Sequence, residues 1–346
     1  MPSPTLPKDV AVLVLNWNGL ELLRSFLPSW VKFTPEEADL IIIDNGSTDG
    51  SVAFVQEHYP EVKLVAFTEN YGFAAGYNKA IAELDYKTVV LLNSDVELSD
   101  GWLREPLELL ASDPSITAVQ PTIRAQRSPQ DFEYAGAAGG YIDSLGYPFC
   151  RGRILSVVEQ DQGQYSRSID LFWASGACLI IRRAAYLEAG GLDPVFFAHQ
   201  EEIDLCWRLL ARGGRIVYAP SSTVYHVGGA SLSAESPRKV FLNFRNNLLM
   251  IYKNLPAPRL YAVLLLRVIL DFLAALVYLV KLQPRHCFAV LEAWRCFLIK
   301  RLRYERVRGD NLAKTTSQIS PDLMKPYSII VQYYLRGRKR YSQLPR

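Results

Sequence analysis

The sequence has no Gly-x-Gly-x-x-Gly fingerprint and no Gly-x-x-x-x-Gly-Lys-Ser/Thr loop, so the usual signatures of dinucleotide oxidoreductases and phosphate-loop kinases are missing. It also has no Gly-x-Ser-x-Gly elbow and no His-Glu-x-x-His pair, which sets aside elbow-type serine hydrolases and zinc peptidases. Cysteine is scarce: Cys150, Cys178, Cys206, Cys287 and Cys296 never fall in a Cys-x-x-Cys pair. Such an odd, scattered set reads as reduced thiols in a cytosolic compartment, with Cys178 and Cys206, inside apolar runs, as core residues. Met1 to Asp9 is polar and proline-rich and lacks the apolar core of a secretion signal, so the body of the protein is expected on the cytosolic side. No internal repeat is visible.

What is present is apolar material and an uneven charge. Hydrophobic residues make up 49% of the 346, enough for a large buried core and too many for a disordered chain. The length fits one large domain with an attachment, or two domains. Residues 1–237 carry 17 Lys and Arg against 30 Asp and Glu, a net of −13, whereas residues 238–346 carry 21 against 5, a net of +16. A tail so basic is expected to meet an anionic partner. Leu260 to Val280 is long enough to cross a hydrocarbon layer of ~30 Å, but Arg267 and Asp271 near its middle each cost about 2.5–3.5 kcal/mol on insertion scales. Being four apart, the two can pair on one helical face. The next run, Cys287 to Leu302, is shorter and rimmed by Arg301, Arg303, Arg306 and Arg308. Three placements stay open: a spanning helix, helices lying in the interface against anionic headgroups, or a helical hairpin packed on the core. The first two put the chain on the cytoplasmic face of a membrane and leave no role for nucleic acid.

Upstream of Pro237 the pattern alternates. Val10 to Leu15 and Leu40 to Ile43 are continuous apolar runs, as in strands buried on both faces, and Leu20 to Phe33 between them has helical spacing. Val62 to Phe67, a helix over Ala74 to Leu84, and a strand over Thr88 to Leu92 continue the alternation, which predicts an open α/β sheet, mostly parallel and flanked by helices. Ligands bind at the carboxyl ends of the strands in such sheets. Polar clusters fall at each of those ends: Asn16 and Asn18, Asp44 and Asn45, Asn70, then Asn93 and Asp95. Asp131 to Ser168 reads as an irregular excursion holding a hairpin. Leu171 to Arg182 is strand-like, Glu201 to Ala211 helical, and Arg215 to Ala219 a short strand leading to His226.

Several of these residues suit chemistry on a diphosphate. Asp95, with Asn93 two residues earlier and on the same side if the chain is extended, is suited to hold a divalent metal. Asp44 is placed to accept hydrogen bonds from a nucleobase or ribose, and equally to close an Asx turn, with Ser47 or Asp49 capping a helix. Asn70-Tyr71-Gly72 opens a strand-to-helix turn whose N–H groups suit phosphate. Glu201, Glu202 and Asp204 suit a helix N-terminus, yet in a cleft one of them is a candidate base for a hydroxyl. Asp204 and Arg208, four apart, read as helix support. His226 reads as structural or as a metal ligand.

In order, Val14-Leu15-Asn16-Trp17-Asn18-Gly19, Ile43-Asp44-Asn45-Gly46-Ser47-Thr48-Asp49-Gly50-Ser51, Asn70-Tyr71-Gly72-Phe73-Ala74-Ala75-Gly76-Tyr77-Asn78 and Leu91-Leu92-Asn93-Ser94-Asp95 resemble family 2 glycosyltransferases of the GT-A fold. Ser175-Gly176-Ala177, Glu201-Glu202-Ile203-Asp204-Leu205-Cys206-Trp207-Arg208 and Tyr225-His226 resemble its rhamnosyltransferase-type branch. The likeness spans about residues 8–255. It implies inverting transfer, without a covalent intermediate, from a nucleotide diphosphate sugar to a saccharide or lipid-linked acceptor in cell-envelope polysaccharide synthesis, the sugar being rhamnose or another hexose. It implies Mg²⁺ or Mn²⁺ on Asp95, His226 and Asn93. Asn16, Asn18, Asp44, Asn70, Gly72, Asn78, Asn93, Ser94, Gly176 and Ala177 are then expected around the donor, with Gly176 and Ala177 under its sugar. Glu202 is the expected base and Glu201 its rival, because the family usually has Asp where Glu202 stands. Asn93 stands where many relatives have Asp, which shifts the metal onto Asp95 and His226. The expected division is a catalytic domain at 1–237, with a nucleotide-binding half at about 8–125 and an acceptor half at about 126–237, followed by a basic, apolar helical extension at 238–346. Two other readings stand beside this one. A nucleotidyltransferase on a similar sheet needs a basic triphosphate loop, and Asn16-Trp17-Asn18-Gly19 has none. A non-catalytic membrane scaffold has no need for Asp95, Glu202 and His226.

Overall fold

The computed structural model describes residues 8–133, 136–228 and 236–345. The polar N-terminal stretch therefore lies, up to residue 7, outside the described residues. The alternating half folds as its periodicities predict: β1 (Val10–Asn16), α1 (Leu20–Phe33), β2 (Ala38–Asn45), α2 (Ser51–His58), β3 (Lys63–Phe67), α3 (Gly72–Glu83) and β4 (Thr88–Leu92). Strands β1, β2 and β4 are almost wholly buried, because helices cover both faces of a parallel sheet. After β4 come β5 (Val96–Leu98), α4 (Arg104–Ser112), β6 (Ile116–Ala125) and β7 (Ser128–Phe132). The excursion expected to be irregular is instead a small antiparallel sheet of β8 (Gly140–Ile142), β9 (Pro148–Cys150), β10 (Arg153–Ile154) and β11 (Val157–Val158). Its strands are two or three residues long, too short for a period-2 pattern to register.

Returning to the main sheet are β12 (Asp170–Leu171), β13 (Cys178–Arg182), α5 (Arg183–Ala189), α6 (Glu201–Ala211) and β14 (Arg215–His226). The strand-like run 171–182 is broken, with Trp173–Ala177 outside both strands. The short strand expected at 215–219 continues to His226, with a shift of register between Ala219 and Thr223. The sheet runs β12-β14-β6-β13-β4-β1-β2-β3. Strands β3, β2, β1 and β4 are mutually parallel, as are β6 and β14, while β13 lies antiparallel between β4 and β6.

Three long helices close the fold: α7 (Pro237–Asn254), α8 (Ala257–Val280) and α9 (Pro284–Ala313). Helix α7 is buried over most of its length. Among the described residues α8 is the one helix long and apolar enough to cross a membrane. It touches the protein along a single stripe, Leu260, Val263, Arg267, Asp271 and Ala275. Arg267 Nε and Asp271 Oδ1 are 3.1 Å apart, and both side chains are essentially inaccessible. The two charges thus face inward, and the outward surface, with Leu265, Ile269, Phe272, Leu276 and Val280, is apolar. The chain beyond α9 returns over the small sheet, where the Ile329 N–H donates to Asp143 Oδ2 at 2.8 Å.

Candidate functional site

The carboxyl ends of β1 to β4 form one polar rim. Asn16 and Asp44 are register partners in β1 and β2, and the Asn16 amide donates to Asp44 Oδ1 at 3.0 Å. The other carboxylate oxygen accepts from the Ser47 N–H at 2.9 Å, three residues on, so Asp44 ties down the following turn without forming the expected Asx turn. Ser47 Oγ accepts from the Asn18 N–H, and Asn18 Oδ1 accepts from the Thr48 N–H at 2.7 Å. Asn45 reaches the next turn, donating to Asn70 Oδ1 at 2.9 Å and accepting from the Tyr71 N–H. Asn70 Oδ1 also accepts from Gly72, whose φ of +78° suits glycine. Asp49 does not cap α2 as a formal N-cap; its carboxylate takes the Ser51 hydroxyl and N–H and the first N–H of α1, at Leu20. Asn78 sits behind this rim, with its amide taken up by Leu192 N and O and by the Tyr186 hydroxyl.

Asn93, Ser94 and Asp95 form a turn between β4 and β5 rather than an extended triplet, since the Val96 N–H donates to Asn93 O at 3.2 Å. The i, i+2 alignment therefore does not apply. What brings Asp95 to His226 is strand pairing: Val96 is the register partner of His226 in β14. Asp95 Oδ1 lies 3.1 Å from His226 Nε2, and Glu133 Oε2 lies 3.2 Å from Nδ1. All three side chains are buried. Burial alone would lower the imidazole pKa, but the Asp95 and Glu133 carboxylates overcome it and raise the pKa to about 10. Glu133 was not singled out in the sequence. It follows β7 at the edge of the segment read as irregular, where no pattern marks a charged residue as buried.

The same turn meets the acid-bearing helix. The Asn93 N–H donates to Ala177 O at 3.0 Å, and a Cβ added at Gly176 would stand 3.7 Å from the Glu202 Cβ. Gly176 and Ala177 thus bridge the end of β4 and the first turn of α6. Glu201 is buried and Glu202 half-buried, and each has an inaccessible Oε2 with no hydrogen-bond partner. Burial raises the Glu202 pKa to about 7. Burial and the neighbouring Glu202 charge raise Glu201 well above the carboxylate range. Asp204 is the opposite case. Despite burial, Arg208, Lys253 and Asn254 hold its pKa near 2, with Arg208 at 2.8 Å and Lys253 at 2.9 Å. A carboxylate so saturated supports structure. An unpartnered one with a pKa near neutrality is equipped to take a proton.

The family described as glycosyl transferase family 2 matches residues 11–189. An N-acetylglucosaminyl-diphospho-decaprenol L-rhamnosyltransferase of Mycobacterium tuberculosis is 30% identical over 233 residues, which is 62% of this chain and 75% of that protein. A mannosyltransferase of Pyrobaculum calidifontis, solved with GDP-Man and Mn²⁺, superposes with a TM-score of 0.53 at 15% identity, covering 88% of this chain and 90% of its own. GalNAc-T7, solved with UDP, GalNAc and Mn²⁺, gives 0.54 at 16%, covering 71% and 48%. At such identities the two structures speak for the fold alone, which is GT-A. The chain is a member of glycosyl transferase family 2.

Proposed function

We propose that the protein transfers a sugar, rhamnose or another hexose, from a nucleotide diphosphate donor to a hydroxyl of a saccharide or lipid-linked acceptor, with inversion, in cell-envelope polysaccharide synthesis. The observation that carries this reading is Glu202, an acid raised by burial to about 7 with one inaccessible oxygen lacking a partner, set against Gly176 and so beside the Asn93–Asp95 turn. Inversion needs one base opposite the leaving group and no second carboxylate flanking the bond. Glu202 takes the acceptor proton as the hydroxyl attacks, and Glu201 is the rival for that role.

The leaving diphosphate calls for a cation, Mg²⁺ or Mn²⁺, and the residues fit one. Asp95 Oδ1 and His226 Nε2 stand side by side at 3.1 Å, and a cation shared by this carboxylate and imidazole would take the place of the proton that pairs them. No group of three His, Cys, Asp or Glu side chains makes a complete cage among the described residues, which suits an ion shared with substrate phosphates. Asp95 and His226 would hold it, with Asn93 at the same turn, and bound there it would neutralise charge on the leaving group. Asp44 and the rim of Asn16, Asn18, Asn70, Gly72 and Ser94 receive the nucleotide, Asn78 supports them from behind, and Gly176 and Ala177 lie under the sugar.

We keep 1–237 as the catalytic part and 238–346 as its extension. The apolar outer face of α8, with basic Lys300, Arg301 and Arg303 on α9, supports attachment to the cytoplasmic face of a membrane, through anionic headgroups or inserted helices. The Mycobacterium tuberculosis relative is an N-acetylglucosaminyl-diphospho-decaprenol rhamnosyltransferase, in keeping with a lipid-linked acceptor here. Thermal shifts against a panel of nucleotide sugars, with and without Mn²⁺, test the reading. One sugar nucleotide should stabilise the protein only with the metal. Stabilisation by none, or equally by nucleoside triphosphates alone, would favour another class of enzyme.

A further inference from the structure

A run of left-handed backbone leads directly into the acid pair. Phe197, His199 and Gln200 have φ of 66°, 69° and 70°. Each non-glycine residue in that region is strained and persists only where its surroundings fix it. Here the fixing comes from α7. The buried Asn246 amide donates to Phe196 O, Ala198 O and His199 O at 2.9, 2.8 and 2.7 Å. Arg245 donates to Val195 O and Phe196 O, both at 2.9 Å. Asn247 donates to Gln200 Oε1 at 2.9 Å, and Gln200 donates in turn to Asn243 O at 3.1 Å. Arg267 of α8 donates to Asn247 Oδ1 from behind, and its charge is met by Asp271.

Gln200 is the residue before α6, which has no side-chain N-cap. No side chain therefore caps the start of its first turn. Were the strained run to relax, that turn would fray, and Glu201 and Glu202 would gain water and move away from Gly176.

We propose that Asn246, together with Arg245, Asn247 and Arg267, forms a clasp that holds the Phe197–Gln200 turn in its strained form and thereby aims Glu202 at the acceptor hydroxyl. These are positioning residues, acting on Glu202 through the turn that precedes it. The proposal rests on Glu202 as the base. It also accounts for the charge pair inside apolar α8, where Arg267 braces Asn247 and Asp271 neutralises Arg267.

The test uses the full-length chain with Asn246→Ala and Gln200→Ala, and with Glu202→Gln alongside. Gln200→Ala removes the link to Asn247 and leaves the positive φ strained, so it serves where Asn246→Ala fails to fold. Three quantities are measured: the pH profile of transfer, affinity for nucleotide with Mn²⁺, and amide hydrogen exchange over residues 194–204. Both clasp variants should lose about 30- to 100-fold in kcat, keep nucleotide affinity, lower the pH midpoint from near 7 toward the value of a solvated carboxyl, and speed exchange in that segment alone. Unchanged exchange there would overturn the clasp, as would a rate loss with the pH midpoint unmoved, which marks a merely structural effect. Should Glu202→Gln keep full transfer, the base assignment fails instead, and the exchange measurement still decides the clasp.

Discussion

The rim at the ends of β1 and β2 and the acid pair at the start of α6 lie at the same end of the sheet, yet they are built on opposite terms. On the rim every carboxylate oxygen of Asp44 and Asp49 has a partner: Asp44 takes Asn16 and Ser47, and Asp49 takes Ser51 and Leu20. On α6 both glutamates keep an inaccessible oxygen without one, and the turn before them is strained. A preformed binding surface gains from satisfied groups, which do not rearrange when the ligand arrives. A base needs burial to outweigh the hydrogen bonds that reach it, as at Glu202, where burial raises the pKa against the backbone N–H groups of Gln200, Glu202 and Ile203. On the proposed reading, the binding side keeps its carboxylates satisfied, with buried Asn16 Oδ1 left open, and the reacting side leaves acid oxygens without partners.

The largest expected effect lies where the two sides meet. Asp95→Ala should reduce transfer by about 10³-fold or more and abolish metal-dependent nucleotide binding, measured by steady-state rates and by titration with Mn²⁺; unchanged turnover would remove the metal assignment. Next is the stability held in tension by the acid pair. Between the unfolded pKa of about 4.5 and the folded pKa near 7 the native state binds more protons than the unfolded one, so stability falls as pH rises through that window. Glu202→Gln removes this loss and should stabilise the protein by about 2 kcal/mol at pH ~8 and by much less at pH ~5, read from denaturant midpoints at the two pH values. The converse holds on the rim, where Asn16→Ala strips a buried carboxylate of one partner and should destabilise by about 1–2 kcal/mol. If the two substitutions moved stability in the same direction, the contrast between the regions would be lost. The smallest effect is on rate alone: transfer should rise about tenfold between pH ~6 and ~8, following ionisation of a base with pKa near 7.

The first half of the chain was the more legible in sequence, for a physical reason. Parallel strands buried on both faces write themselves as unbroken apolar runs, and their polar ends stand out against them. Asn16, Asp44 and Asn70 were found that way and do form one rim, and the residue range of α6 was readable from its spacing. The second half depends on pairings between distant segments. Asp95 meets His226 because β5 pairs with the far end of β14, where the extended-triplet argument for Asn93 and Asp95 had assumed a geometry that the turn replaces. Glu133 carries no local signal at all. The charges in the middle of the Leu260–Val280 run counted against insertion as long as they were placed on an undirected helix. Facing Asn247, Tyr147 and Trp294, they belong to the interior, and the outward surface that remains is apolar.

The central claim is that Glu202, an acid raised by burial at the start of α6, takes the acceptor proton while the rim and the Asp95 turn hold the donor. It is tested most directly by measuring transfer and nucleotide binding side by side in Glu202→Gln and Glu201→Gln. The account predicts that Glu202→Gln loses transfer by about 10³-fold with nucleotide affinity intact, and that Glu201→Gln loses far less. Full transfer by Glu202→Gln, or loss confined to Glu201→Gln, would contradict it.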